Sequence, residues 1–299
     1  MVPVVEKISL SNNNSKIAKN RSSGRPSEIR PEDLIFIFLF RLYVGETIER
    51  ISCYFGISCS WICRILASVT VAISCKLKPE LKIFSGQELQ DRTIERTKLN
   101  FPNQDVCITP CLYYSSPSLT SNYIYFLFSA KVHVLDTTYV YFDRPSNVEA
   151  QRLSFCPNKQ RNLIKVLTLS TTNGTGEAVD FAWGSESDQA ILKKTTLFDP
   201  ITTKAMVLGD KGFSNVSSKK NVTILTPTSD RHGPLTEASV TQNLAIASSR
   251  VVIEQYFQQV KRFGKFKNSQ SLELNFIKHL KNTWEIIMVL VNRYTIKFK

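Results

Sequence analysis

The chain has 299 residues, 42% hydrophobic and 21% charged, enough to bury a core as roughly one large domain plus a small one, which excludes a short peptide or a coreless tail. Against 38 Lys and Arg stand 25 Asp and Glu, and the formal charge of +13 favours a polyanionic partner, nucleic acid or acidic membrane, without choosing between them. Seven cysteines, an odd number without a CxxC pair, and only three histidines argue against a disulfide framework and a structural zinc site.

Residues 1–29 are polar and basic, with no apolar signal-peptide core, and read as a disordered basic arm of an intracellular protein. The most apolar runs, 34–40 and 123–130, fall short of the roughly 20 residues of a spanning helix, so no membrane is expected. From Arg30 the composition changes: Pro31, Glu32 and Asp33 start an apolar helix reaching about Val44. Ile48, Ile51 and Phe55 recur at helical spacing, Gly56 breaks the pattern, Ser58 can cap, and Trp61, Ile62, Ile65, Leu66 and Val69 continue it. Residues 30–77 therefore read as a helix-turn-helix module, although any small helical bundle gives the same pattern. Its second helix offers Arg64 to DNA but few other cations.

Residues 78–130 read as a connector: a charged stretch with one helix, then the aromatic, Ser- and Pro-rich run CITPCLYYSSPSLTSNYIYFLFSA at 107–130, an atypical insert without periodicity. Beyond it, β-branched and aromatic blocks predict strands at 132–142, 162–171, 177–183, 204–210 and 221–227, with a helix at 187–198. Two closing helices follow, one through Val251, Ile253, Tyr256, Phe257 and Val260, the next through Phe276, Ile277, Leu280, Trp284, Ile287 and Leu290. Residues 131–299 are thus an α/β domain.

Three carboxylates stand out in this domain. Asp136 sits in the apolar frame of Val132, Val134, Leu135 and Val140, where a charge needs a partner or a metal. Asp210 closes the strand Val207–Gly209, and functional groups of open α/β sheets gather at carboxyl strand ends. Glu254 lies among Val251, Val252, Ile253, Tyr256 and Phe257 and also needs a partner. The gaps of 73 and 43 residues leave room for the three to converge. Such a cluster suits hard divalent cations and two-metal phosphodiester cleavage. Alternatively, Asp210 is a turn residue before Gly212 and Glu254 an ion-pair partner of Arg250 or Lys261. The last fifty residues carry ten Lys and Arg against three acids, +7 of the whole excess. There Lys261, Arg262, Lys265 and Lys267, interleaved with Phe263 and Phe266, with Arg250 just upstream, either track a phosphate backbone or form the solvated face of a helix.

The runs DTTYVYFDRPSNVEAQRLSFCPNKQRNLIKVL, WGSESDQAI, LGDKGF and SSRVVIEQYFQQVKRF, in that order over about 131–265, resemble the DDE endonuclease domain of Harbinger-type transposases and their domesticated relatives. The resemblance implies an RNase H-like mixed sheet with flanking helices, whose Asp-Asp-Glu catalytic metal ligands are Asp136, Asp210 and Glu254, with Asp188 in support. For Asp188, helix capping by Ser185 or Ser187 is the alternative. It also implies Mg²⁺ or Mn²⁺, two ions; cleavage of DNA with or without strand transfer; a helix-turn-helix ahead of the domain; and action in the nucleus. A separate DNA-binding partner protein and a homo-oligomer on DNA fit the same picture, and a domesticated, catalytically inactive DNA-binding protein is the alternative function. Departures from the family are Thr137 after Asp136 and the 24-residue insert that follows the FPN at 101–103.

Overall fold

The computed structural model describes residues 29–84, 86–92, 132–214, 221–229, 234–267 and 270–294; most of the basic arm and the whole insert at 107–130 lie outside these residues. Three helices open it: α1 (Pro31–Val44), α2 (Ile48–Phe55) and α3 (Cys59–Leu77). Pro31 with Glu32 and Asp33 starts α1, and Gly45 in the left-handed region (φ 84°) ends it. Thr47 caps α2 by accepting from the Arg50 N–H, and Gly56 (φ 65°) makes the turn into α3. Ile37, Ile51 and Ile62 form the small core of the three helices.

These helices are fastened to the rest of the molecule. Phe38 and Leu42 of α1 belong to the same core cluster as Val134, Ile253 and Trp284. Gly45 and Gly264 meet backbone to backbone, so that a Cβ on Gly45 would lie 2.6 Å from the Gly264 carbonyl carbon. Beside this contact, buried Arg41 donates to Glu273 at 2.9 Å, and Glu273 also accepts from Lys265 at 3.1 Å. The reading that no stretch approaches a spanning length needs correction at α3. By length and composition, the 22-residue stretch Cys59–Glu80 passes as long and apolar enough to cross a membrane, an 18-residue window within it having a mean hydropathy of 1.4, because its interleaved Ser and Thr lower hydropathy little. One side of α3, with Ile62 and Ile65, is buried.

After α4 (Gly86–Arg92) come β1 (Val132–Tyr141), α5 (Val148–Ser154), β2 (Phe155–Cys156), β3 (Arg161–Thr171), β4 (Gly176–Trp183), α6 (Asp188–Lys194), β5 (Ala205–Leu208), β6 (Val222–Leu225), α7 (Glu237–Val260), α8 (Leu274–Ile277) and α9 (Leu280–Tyr294). Five strands form a mixed sheet in the order β4-β3-β1-β5-β6, with the two-residue β2 pairing beside β4 on the same edge of β3. β1 runs antiparallel to β3 and parallel to β5, which is parallel to β6. With helices on both faces, this is consistent with the RNase H-like fold.

Alternation along the strands divides the core. Val134, Val140, Ile164 and Val166 pack under α7 and α9, around fully buried Trp284. Leu135, Leu167, Leu169 and Val207 face the other way, against α6 and the connector residues Phe84 and Leu89. A bulge between Leu169 and Ser170 leaves Glu177 without an opposite partner in the ladder. Its buried carboxylate accepts the Phe84 N–H at 2.8 Å and lies 2.6 Å from His133 Nδ1, which ties the connector to the sheet.

Five of the six strands occur where the sequence predicts them; the sequence predicts none at Phe155–Cys156. The final helix expected through 276–290 is instead split by a two-residue turn at 278–279, and the helix expected at 187–198 stops at Lys194. There the Thr195 hydroxyl donates to Asp180 of β4, fixing an extended residue where the helix would continue.

Candidate active site

Register places the first two carboxylates. β1 and β5 pair in parallel up to Val134↔Leu208, and Asp136 and Asp210 each lie two residues beyond that last pair. Parallel strands keep their register, so both side chains emerge side by side on one face at the carboxyl edge. α7 packs across β1 and β5 with Arg250 and Glu254 one helical turn apart on one flank.

The Asp136 side chain is 19% exposed and Asp210 54% exposed. Asp136 Oδ1 accepts the Thr137 N–H at 2.8 Å. The Arg250 guanidinium spans the pair, Nη2 3.4 Å from Asp136 Oδ2 and Nη1 3.2 Å from Asp210 Oδ1. Burial pushes the Asp136 carboxyl up to about 6; Arg250 and the Thr137 N–H pull it down, while Asp210 and Glu254 push it up. Glu254 is exposed and makes no hydrogen bond or ion pair among the described residues, so the apolar setting expected for it is corrected. Ile253, Tyr256, Phe257 and Val260 take the inward stripe of α7 and leave Glu254 on the flank with Arg250.

Asp136 and the two carboxylates within its electrostatic reach, Asp210 and Glu254, face one bridging guanidinium, and hard oxygen donors carrying that surplus charge suit a divalent cation. That Arg250 already bridges two of them shows that one cationic group can serve both. As they stand, no three His, Cys, Asp or Glu side chains form a ligand cluster among the described residues.

Asp188 is on a different face. Lys165, directly opposite Tyr139 across the ladder, donates to its Oδ1 at 2.9 Å, while Ser187 caps α6 by accepting from Ala190. Asp188 also sits over Gly212, where an added Cβ would lie 2.9 Å from Oδ2. Gly212 is in the 3₁₀ turn Lys211–Phe213 directly after Asp210, so Asp188 braces the loop that carries this carboxylate.

The predicted DNA-contact residues are dispersed. Arg250 is engaged with the two aspartates. Lys261 at the end of α7 is half-buried within electrostatic reach of Asp136, and burial lowers its pKa. Arg262 and Lys267 are exposed, as is Arg64 on α3. Lys265 is buried against Glu273 at the contact with α1. Lys165 went unremarked in the sequence, although a lysine inside the apolar block NLIKVLTL is itself a signal of a buried ion pair.

No characterised protein and no solved structure matches the chain. The family described as DDE superfamily endonuclease matches residues 135–292, a span that begins beside Asp136 and takes in Asp188, Asp210 and Glu254. That span is more than half of the sequence, and the chain therefore belongs to the DDE superfamily endonucleases.

Proposed function

We propose that this chain is a Harbinger-type, transposase-derived DNA endonuclease that cleaves phosphodiester bonds, with or without strand transfer, at Asp136, Asp210 and Glu254. The observation that supports the reading is the register of β1 and β5, which brings Asp136 and Asp210 onto one guanidinium, Arg250, one turn before Glu254 on α7 and inside the family span. Asp136, Asp210 and Glu254 would hold Mg²⁺ or Mn²⁺, which when bound activates water or a 3′ hydroxyl and stabilises the leaving oxygen. Arg250 keeps the two aspartates together and offsets their repulsion. Asp136 must be ionised to act as a ligand, and burial raises its carboxyl to about 6 in the metal-free site, so metal binding competes with a proton there and weakens as pH falls. Asp188 with Lys165 holds the Asp210 loop. Arg262, Lys267 and Lys261 are proposed to contact phosphates, and Arg64 to contact DNA through the helix-turn-helix module.

A second reading, a domesticated DNA-binding protein that has lost its chemistry, is favoured by one observation: Arg250 pairs with both aspartates. The test is supercoiled plasmid incubated with Mg²⁺ or Mn²⁺ at fixed low salt, comparing wild type, Asp210→Asn and an EDTA control. Metal-dependent nicking lost in Asp210→Asn supports the endonuclease. Folded, DNA-binding wild type that never nicks supports the domesticated protein.

A further inference from the structure

The tight turn between β2 and β3 carries two cations that the site does not use. Lys159 Nζ stands 5.2 Å over the Tyr139 ring, and the Arg161 guanidinium 4.1 Å over the Tyr141 ring. Both cations are exposed and both rings are partly covered. Among the described residues neither cation has a carboxylate partner; Arg161 donates only to the Ser271 hydroxyl, at 2.8 Å. The turn is closed by Lys159 N–H to Cys156 O and Gln160 N–H to Pro157 O, with Gln160 at φ 51°, a conformation uncommon outside glycine and frequent at functional sites.

We infer that Lys159 and Arg161, each positioned on a tyrosine ring, form a strip that binds the phosphate backbone of DNA flanking the site; the inference rests on the endonuclease reading. Holding a long cationic side chain against a ring removes part of the entropy that ordering it on a phosphate would cost. Tyr139 and Tyr141 are two residues apart on β1, about 7 Å, so both rings and their cations share one face of the strand. By the alternation of β1, Tyr139 and Tyr141 lie on the sheet face opposite Asp136, three and five residues further along the same strand. Lys261 is within electrostatic reach of both Asp136 and Lys159.

The experiment measures affinity of the full chain for a fluorescent 30-base-pair duplex at several salt concentrations in EDTA, in an Asp210→Asn background so that nothing is cut. Lys159→Ala with Arg161→Ala is expected to lower the slope of log affinity against log salt by about 2, roughly one per lost phosphate contact. Lys159→Arg with Arg161→Lys should keep the slope. Tyr139→Leu with Tyr141→Leu should weaken binding, while the Phe pair, which retains the rings, should not; thermal unfolding of each variant checks that it is folded. A folded double-alanine variant with unchanged affinity and slope overturns the strip; if the wild type still nicks plasmid, the endonuclease reading survives. A parent that shows no salt-dependent DNA binding overturns both.

Discussion

Replacing Asp136 by Asn removes a carboxyl that titrates near pH 6 in the fold and near 3.8 once unfolded. The group is 19% exposed, so solvent screens it little. Between those pH values the folded chain keeps the proton and the unfolded chain releases it, so wild-type stability falls as pH rises through this window and levels off above it. At 1.36 kcal/mol for each pH unit of separation, the loss is about 3 kcal/mol. The Asn variant has no such proton and keeps an acceptor for the Thr137 N–H. The stability of Asp136→Asn relative to wild type should therefore rise by about 3 kcal/mol between pH 4 and pH 7.5, roughly 5–10 °C in Tm. Thermal unfolding in EDTA at pH 4.0, 5.5 and 7.5 at constant ionic strength measures the difference. Mg²⁺ at 100 times its Kd should then return about 2.7 kcal/mol to the wild type at pH 7.5 and less to the variant. A variant-minus-wild-type difference that is flat with pH, or falls as pH rises, refutes the account of Asp136 as a carboxyl raised by burial.

Arg250→Gln removes the cation shared by Asp136 and Asp210, so the metal-free protein should melt lower at pH 7.5, while the Tm gain from Mn²⁺ should exceed that of wild type because no guanidinium has to be displaced; an equal or smaller gain counts against competition. Gly212→Ala drives a methyl to 2.9 Å from Asp188 Oδ2 and should shift the Asp210 loop; a displacement of about 1 Å can lower nicking up to about 100-fold while DNA affinity in EDTA stays unchanged, and unaltered nicking would sever Asp188 from that loop. Gly264→Ala presses a methyl onto the Val44 carbonyl and should cost about 1–3 kcal/mol, read by urea unfolding and by faster proteolysis near Gly45; an unchanged midpoint would mean that α1 docks without that contact.

The strands were legible because each is a compact β-branched or aromatic block, and Asp136 and Asp210 stood out as charges inside or at the end of such blocks. What joins them was not legible: the pairing Val134↔Leu208 connects residues far apart in the sequence, and no local pattern encodes it. The first half of α7 escaped notice because Glu237–Ser249 is rich in Ser, Thr and Ala and announces no apolar stripe until Val252. Lys265 read as a surface cation beside Lys261 and Arg262, yet its partner Glu273 is shared with Arg41, 232 residues before Glu273 in the chain. Its burial follows from how α1 docks, which its own neighbours in the sequence do not specify.

The charge of the molecule is organised by sign. A chain of +13 places Asp136 and Asp210 against one guanidinium at the carboxyl edge of its sheet, with Glu254 in electrostatic reach of Asp136, where unaided these carboxylates would repel a nucleic-acid backbone. Lys159, Arg161 and Lys261 are the cations proposed to attract phosphates away from that centre. Positive charge inside the centre is the only way to bring a phosphate onto the carboxylates themselves, and Arg250 supplies one unit of it. On the proposed endonuclease reading, the remaining deficit grows as Asp136 ionises, so the demand for a divalent cation and the readiness of Asp136 to ligate it rise together.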